Sequence, residues 1–150
     1  MQNAERIMIG RTISGAAALF LGLLLAPVAL AEDSASAFMN KVNANADQTL
    51  SLKEVDAYAM KRFDELNTNK DRTLSMKELA GRLSEAEFKE ANTSHRRDRT
   101  LSRDEFKAYV DKLFVEANIH PEQGHAAADG TLSKNELETK AGKKLMKLLD

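Results

Sequence analysis

The chain has no cysteine and no tryptophan, and only two prolines and seven glycines in 150 residues. Lacking cysteine, it has no disulfide, no thiolate metal ligand, no cysteine nucleophile and no lipid-modified cysteine. So few prolines, glycines and aromatics favour a helical protein over a sheet protein. Neither sign of charge dominates: 22 Lys and Arg stand against 23 Asp and Glu, a formal net charge of -1. No basic field therefore argues for nucleic acid. No nucleophile motif or phosphate-binding loop is present. His95, His120 and His125 lack the spacing of zinc ligands with carboxylates. The sequence thus argues against an enzyme. His120 and His125 leave two readings open, a small transition-metal pair or isolated surface histidines. The length suits about one domain.

One long apolar run exists, at 13–26, and it lies near the start. Arg6 and Arg11 precede it, Pro27 ends it, and Ala29-Leu30-Ala31 supplies a small-x-small pattern before Glu32 and Asp33. This predicts a secretory signal peptide over 1–31 and a mature domain over 32–150. An uncleaved anchor is the competing reading, but the run is short for a span. The expected product is exported, periplasmic or secreted, and free of the membrane after cleavage. Cleavage takes away Arg6, Arg11 and Glu5, which leaves the product slightly more acidic than the whole chain.

The rest of the chain is organised by an internal repeat, Asp-x-Thr-Leu-Ser-x-x-Glu, at 47–54, 71–78, 98–105 and 129–136. Counted as the end of an EF-hand-length loop, each copy puts Asp at position 5, Thr at 7, Leu at 8, Ser at 9 and Glu at 12. Hard cations such as Ca²⁺ take six to eight oxygens from such positions, with Gly at 6 for a sharp turn. Loop 1 (43–54) offers Asn43, Asn45, Asp47, the Thr49 carbonyl, Ser51 and Glu54. Loop 2 (67–78) offers Asn67, Asn69, Asp71, the Thr73 carbonyl, Ser75 and Glu78. Each has only two carboxylates, and position 6 is Gln48 or Arg72.

Loops 3 and 4 are poorer. Loop 3 runs over 94–105, with Ser94 at position 1 and Arg96 at position 3, or over 92–105 if it is longer and starts at Asn92. Asp98, Thr100 and Glu105 remain there as weaker candidates. Loop 4 (125–136) has Gly130 at position 6 but His125 and Ala127 at positions 1 and 3; Asp129, Thr131 and Glu136 remain. A competing reading treats each Ser-x-x-Glu as a capping box that simply starts a helix.

Apolar spacing predicts helices over 34–42, 52–66, 76–83 with a restart up to residue 91, 103–117, and 134–149. In the second, Val55, Ala59, Phe63 and Leu66 share one face. The fold class is accordingly all-α, with short extended pairs around Leu50, Leu74, Leu101 and Leu132. The position-12 glutamates, Glu54, Glu78, Glu105 and Glu136, follow one another closely. Such spacing leaves one short helix between consecutive loops and puts those loops at its opposite ends. Side-by-side pairing should then join loop 1 with 3 and loop 2 with 4.

Four such loops with shared short helices, behind a signal peptide, resemble the EF-hand proteins of the lanmodulin family. The resemblance runs from about Phe38 to Leu149 and is closest over 63–88. It implies a compact helical bundle that selectively binds lanthanide ions. The family's loops have Asp at positions 1 and 3, typically Pro at 2 and typically Asp at 9. This chain has Asn at 1 and 3 of loops 1 and 2, Ala44 or Thr68 at 2, and Ser at 9 throughout. The expectation is weak binding of Ca²⁺, with a lanthanide as the other ion, through loops 1 and 2. The alternative is a metal-independent scaffold that meets an unidentified protein partner.

Overall fold

The computed structural model describes residues 33–93, 98–118 and 129–150. All fall within residues 31–150, which form one unit of the chain. The expected leader over 1–31 lies outside the described residues, as do Ser94, His95, Arg96, His120, His125 and Ala127. No described helix is long and apolar enough to cross a membrane.

Each repeat builds the same local structure. Its Thr-Leu-Ser stretch is extended and its Leu is buried. Helix α1 (Ser34–Val42) is capped by Asp33, whose carboxylate accepts from the Ser36 amide at 2.9 Å. Strand β1 (Leu50–Ser51) leads into helix α2 (Leu52–Leu66). Ser51 and Glu54 form a full capping box there, which satisfies amides the first helical turn leaves free. Val55, Ala59 and Phe63 form its buried stripe. Strand β2 (Thr73–Ser75) and helix α3 (Glu85–Ala91) follow, then β3 (Thr100–Ser102) and α4 (Arg103–Ala117). The chain closes with β4 (Thr131–Leu132), α5 (Lys134–Leu137) and α6 (Lys140–Leu149). Helix α4 packs against α2 and α6, with Phe106 edge-on to Phe63 at 5.6 Å between ring centres.

Four expectations need correction. The described chain is mixed, not all-α: it adds two small antiparallel sheets to its helices. The cause lies in the repeat. Burying Leu50, Leu74, Leu101 and Leu132 completely brings the extended segments together. Their backbone groups, taken from water, then pair with one another.

The pairing is also different. β1 pairs with β4, Leu50 opposite Leu132, and β2 with β3, Leu74 opposite Leu101. Loop 1 therefore neighbours loop 4, and loop 2 neighbours loop 3. The 15 residues of α2, about 22 Å of helix, do hold loops 1 and 2 apart. Residues 76–83 do not act in the same way, because they form turns and not the expected helix. Ala80 and Gly81 take φ values of 47° and 78°, which ends any right-handed helix. Ser84 and Glu87 then start α3 with a fresh capping box. That break lets loop 3 fold back beside loop 2.

The last expected helix is two. Thr139 interrupts it, donating its hydroxyl to the Glu136 carbonyl at 2.7 Å and accepting from the Gly142 amide at 3.1 Å. A Cβ at Gly142 would overlap the Glu136 carbonyl and the Leu137 backbone, so glycine is what lets α5 and α6 meet. Lys140 consequently sits at the start of α6, where the dipole disfavours it, and Lys147 at the end.

Candidate metal site

The four loops share a skeleton of hydrogen bonds. At position 5, Oδ1 of each Asp accepts from the amide of the Thr at position 7: 3.0 Å for Asp47, 2.8 Å for Asp71, 3.4 Å for Asp98 and 2.9 Å for Asp129. The hydroxyls of Thr49, Thr73 and Thr131 add a second bond to the same oxygen. These donors hold Asp47 and Asp71 below the usual carboxylate range, the Thr amide contributing most. At position 9 each Ser gives its amide and hydroxyl to Oε2 of the position-12 Glu. Glu54 and Glu78 are thereby held below their ordinary range as well, the Ser amide contributing most. A capping box thus accounts for one oxygen of each glutamate and leaves the other to be explained.

That second oxygen, Oε1, distinguishes the loops. In loop 1 it accepts from the Ala44 amide at 3.0 Å. In loop 4 the Asn118 carboxamide reaches it. In loop 2, Oε1 of Glu78 is buried with no hydrogen bond; the Asn69 amide lowers the Glu78 pKa only as a lesser influence behind Ser75. Asn67, at position 1 of the same loop, is 8% exposed, and its Oδ1 is also buried without a partner. The equivalent Asn43 Oδ1 in loop 1 accepts from the Ala46 amide at 2.8 Å.

Position 3 is spent internally in both loops. Asn45 and Asn69 each donate to their Asp Oδ2, at 2.8 and 2.9 Å, and accept the same Asp's amide. To ligate an ion, either side chain has to let go of its Asp. Positions 4 and 6 are strained: Ala46, Gln48, Lys70 and Arg72 have φ of 58°, 68°, 58° and 71°, against 81° for Gly130 in loop 4. Each non-glycine residue there costs about 1–2 kcal/mol. A cleft beside loop 2 is lined by Phe63, Asp64, Asn67, Lys70, Arg72 and Arg103. Arg103 stacks over the Phe63 ring at 5.0 Å and pairs with Asp64. Lys70 and Arg72 line that cleft together with Asn67.

Loops 3 and 4 begin elsewhere than a fixed count back from the repeat puts them. Helices α1, α2, α3 and α4 all end on an asparagine cap: Asn43, Asn67, Asn92 and Asn118. Position 1 is therefore Asn92 in loop 3 and Asn118 in loop 4. These loops run over 92–105 and 118–136, both longer than 43–54 and 67–78. Asn92 Nδ2 donates to the Asp98 carbonyl at 2.5 Å and the Thr100 carbonyl at 3.2 Å, and touches Asp98 Oδ1 at 3.4 Å. Asn118, 5% exposed, turns its amide nitrogen inward. It donates to the Thr131 carbonyl at 3.2 Å and to Glu136 Oε1 at 3.1 Å, while its oxygen accepts from the Gly130 amide at 3.0 Å. The hydrogen-bond network assigns this orientation, since the reverse would face oxygen to oxygen. A fixed register hides Asn118. The signal that finds it is an asparagine directly after the last turn of each of these helices.

Among the described residues no three His, Cys, Asp or Glu side chains gather to hold a metal. The donor set of loops 1 and 2 is two carboxylates each, with amide, hydroxyl and carbonyl oxygens. Such oxygens suit a hard cation, and these two loops hold no imidazole or thiolate for a transition metal. No known protein family matches the chain, and no curated protein matches it.

Proposed function

We propose that this protein is an exported, lanmodulin-like EF-hand protein that binds a hard cation weakly, Ca²⁺ or a lanthanide, in loop 2 first and loop 1 second. The observation that carries this reading is the pair of orphaned acceptors, Asn67 Oδ1 and Glu78 Oε1. A buried acceptor without a donor costs about 1–3 kcal/mol, and a cation held between positions 1 and 12 removes both costs. Asp71 and the Thr73 carbonyl add further oxygens to the set. Loop 1 has the same pattern, but its Glu54 and Asn43 oxygens must give up backbone amides first. Two carboxylates per loop, with Lys70 and Arg72 among the residues of loop 2, support an affinity of about 10⁻⁴–10⁻³ M. Binding, not catalysis, is the activity.

A second reading is a scaffold that needs no metal and serves a protein partner. It is favoured by loop 4, where Asn118 and Ser133 supply donors to both oxygens of Glu136 from within the chain. Calorimetry with Ca²⁺ and La³⁺ decides between the two. Heat that Glu78→Gln reduces more than Glu54→Gln supports cation binding led by loop 2. Silence at millimolar concentrations of both ions leaves the scaffold.

A further inference from the structure

We propose that Asn92 and Asn118 are built-in stand-ins for a cation and decide which loops take one. This rests on the reading that loops 1 and 2 bind ions. In those loops, the Thr carbonyl at position 7 and the second oxygen of the position-12 Glu are the natural partners of an ion. In loop 4 the same two atoms, the Thr131 carbonyl and Glu136 Oε1, receive the amide nitrogen of Asn118. In loop 3 the Thr100 carbonyl and Asp98 receive that of Asn92. A carboxamide nitrogen carries two polarised hydrogens about where the positive charge would sit.

The inward-turned asparagines belong to the two longer loops. Loops 1 and 2, over 43–54 and 67–78, are short and strained at positions 4 and 6. Loops 3 and 4, over 92–105 and 118–136, are longer in sequence, and these are the two whose asparagine turns its amide nitrogen inward. The arrangement is distributed evenly. Each sheet joins one loop that holds a stand-in to one that does not: loop 4 to loop 1, and loop 3 to loop 2. Each loop pair is therefore braced from one side without metal, and the stand-in loop has no place for an ion until its amide is displaced.

The test exchanges the donor for a ligand in the full chain. Asn118→Asp puts a carboxylate against the Thr131 carbonyl and Glu136 Oε1, and makes a set of three carboxylates with Asp129. In chelator its Tm should fall by about 4–8 °C or more, the shift that follows loss of the two hydrogen bonds Asn118 donates. Millimolar La³⁺ should close the gap to the parent measured in the same La³⁺, with one more equivalent bound than in the parent. Asn118→Ala also loses the donors but gains no ligand, so its Tm should fall and should stay as far below the parent's in La³⁺ as it was in chelator. Asn92→Asp repeats the test at loop 3. Both aspartate variants as stable as the parent in chelator, or both no better than Asn118→Ala in La³⁺, would overturn the inference. The two proposals fail separately: a parent silent in calorimetry, beside an Asn118→Asp variant rescued by La³⁺, removes the proposed function and keeps the stand-in.

Discussion

Leu74 lies directly across from Leu101 in the β2–β3 ladder, and both side chains are wholly buried. This one pair ties loop 2 to loop 3. Leu74→Ala removes core volume at a place hemmed by strands, so it should cost about 2–5 kcal/mol. Urea unfolding checks the figure. The same variant should bind cation less well than the parent, since loop 2 loses the partner that holds its exit strand.

Gly142 and Gly81 should respond to an added methyl for different reasons. Gly142 has backbone in the space a Cβ would fill, whereas Gly81 faces open space at φ 78°. Gly142→Ala should cost about 1–3 kcal/mol or more through overpacking. Gly81→Ala should cost only the conformational penalty of about 1–2 kcal/mol. Thermal unfolding of both in one buffer checks the order. Equal losses would mean that α5 and α6 do not need their close approach.

Glu87 sets an acid limit on α3. The Ser84 amide and hydroxyl, and then Lys144 at 3.2 Å, lower its pKa from 4.5 to about 2. A carboxylate whose folded pKa is depressed adds stability that is complete above its unfolded value. That stability drains away as pH falls from about 4.5 towards 2. Glu87→Gln keeps the shape of the capping box but not its charge, so it should be less stable than the parent by about 0.5–1 kcal/mol at neutral pH. The gap should close as the pH approaches 2. A gap that stays constant with pH would show that Glu87 acts by shape and not by charge.

Much of this fold can be read from residue spacing. Val55, Ala59 and Phe63 step round one helical face, and Ser51 with Glu54 marks its start, so α2 is found at its observed bounds. The same logic finds α1 and α4. It fails where apolar spacing continues through a backbone break. Leu79 and Leu83 are both buried as a helix over 76–83 would bury them, yet Ala80 and Gly81 turn left-handed between them. Gly81 is the visible warning. Ala80 gives none, because alanine has no polar side chain to favour a positive φ. That single break also reverses the pairing of the loops, so its effect reaches well beyond its own turn. The candidate ligands at positions 5, 7, 9 and 12 are legible because the repeat fixes them. Asn92 is legible as the start of a longer loop 3, whereas Asn118 is hidden because more chain separates it from the repeat it serves.

The two ladders are nested, and this has a kinetic consequence. The inner pair, Leu74 with Leu101, encloses only the chain between those two positions, while the outer pair, Leu50 with Leu132, encloses all of that and more. The outer closure is roughly three times as long, so forming it alone costs about 1 kcal/mol more in chain entropy. Once the inner contact exists, the outer one has less free chain to gather. The chain should therefore close from its middle outward, with Leu74 and Leu101 amides protected ahead of Leu50 and Leu132 in pulse-labelled exchange. Loop 2 belongs to the inner pair, so on the proposed reading an ion present during folding would meet loop 2 before the outer ladder closes.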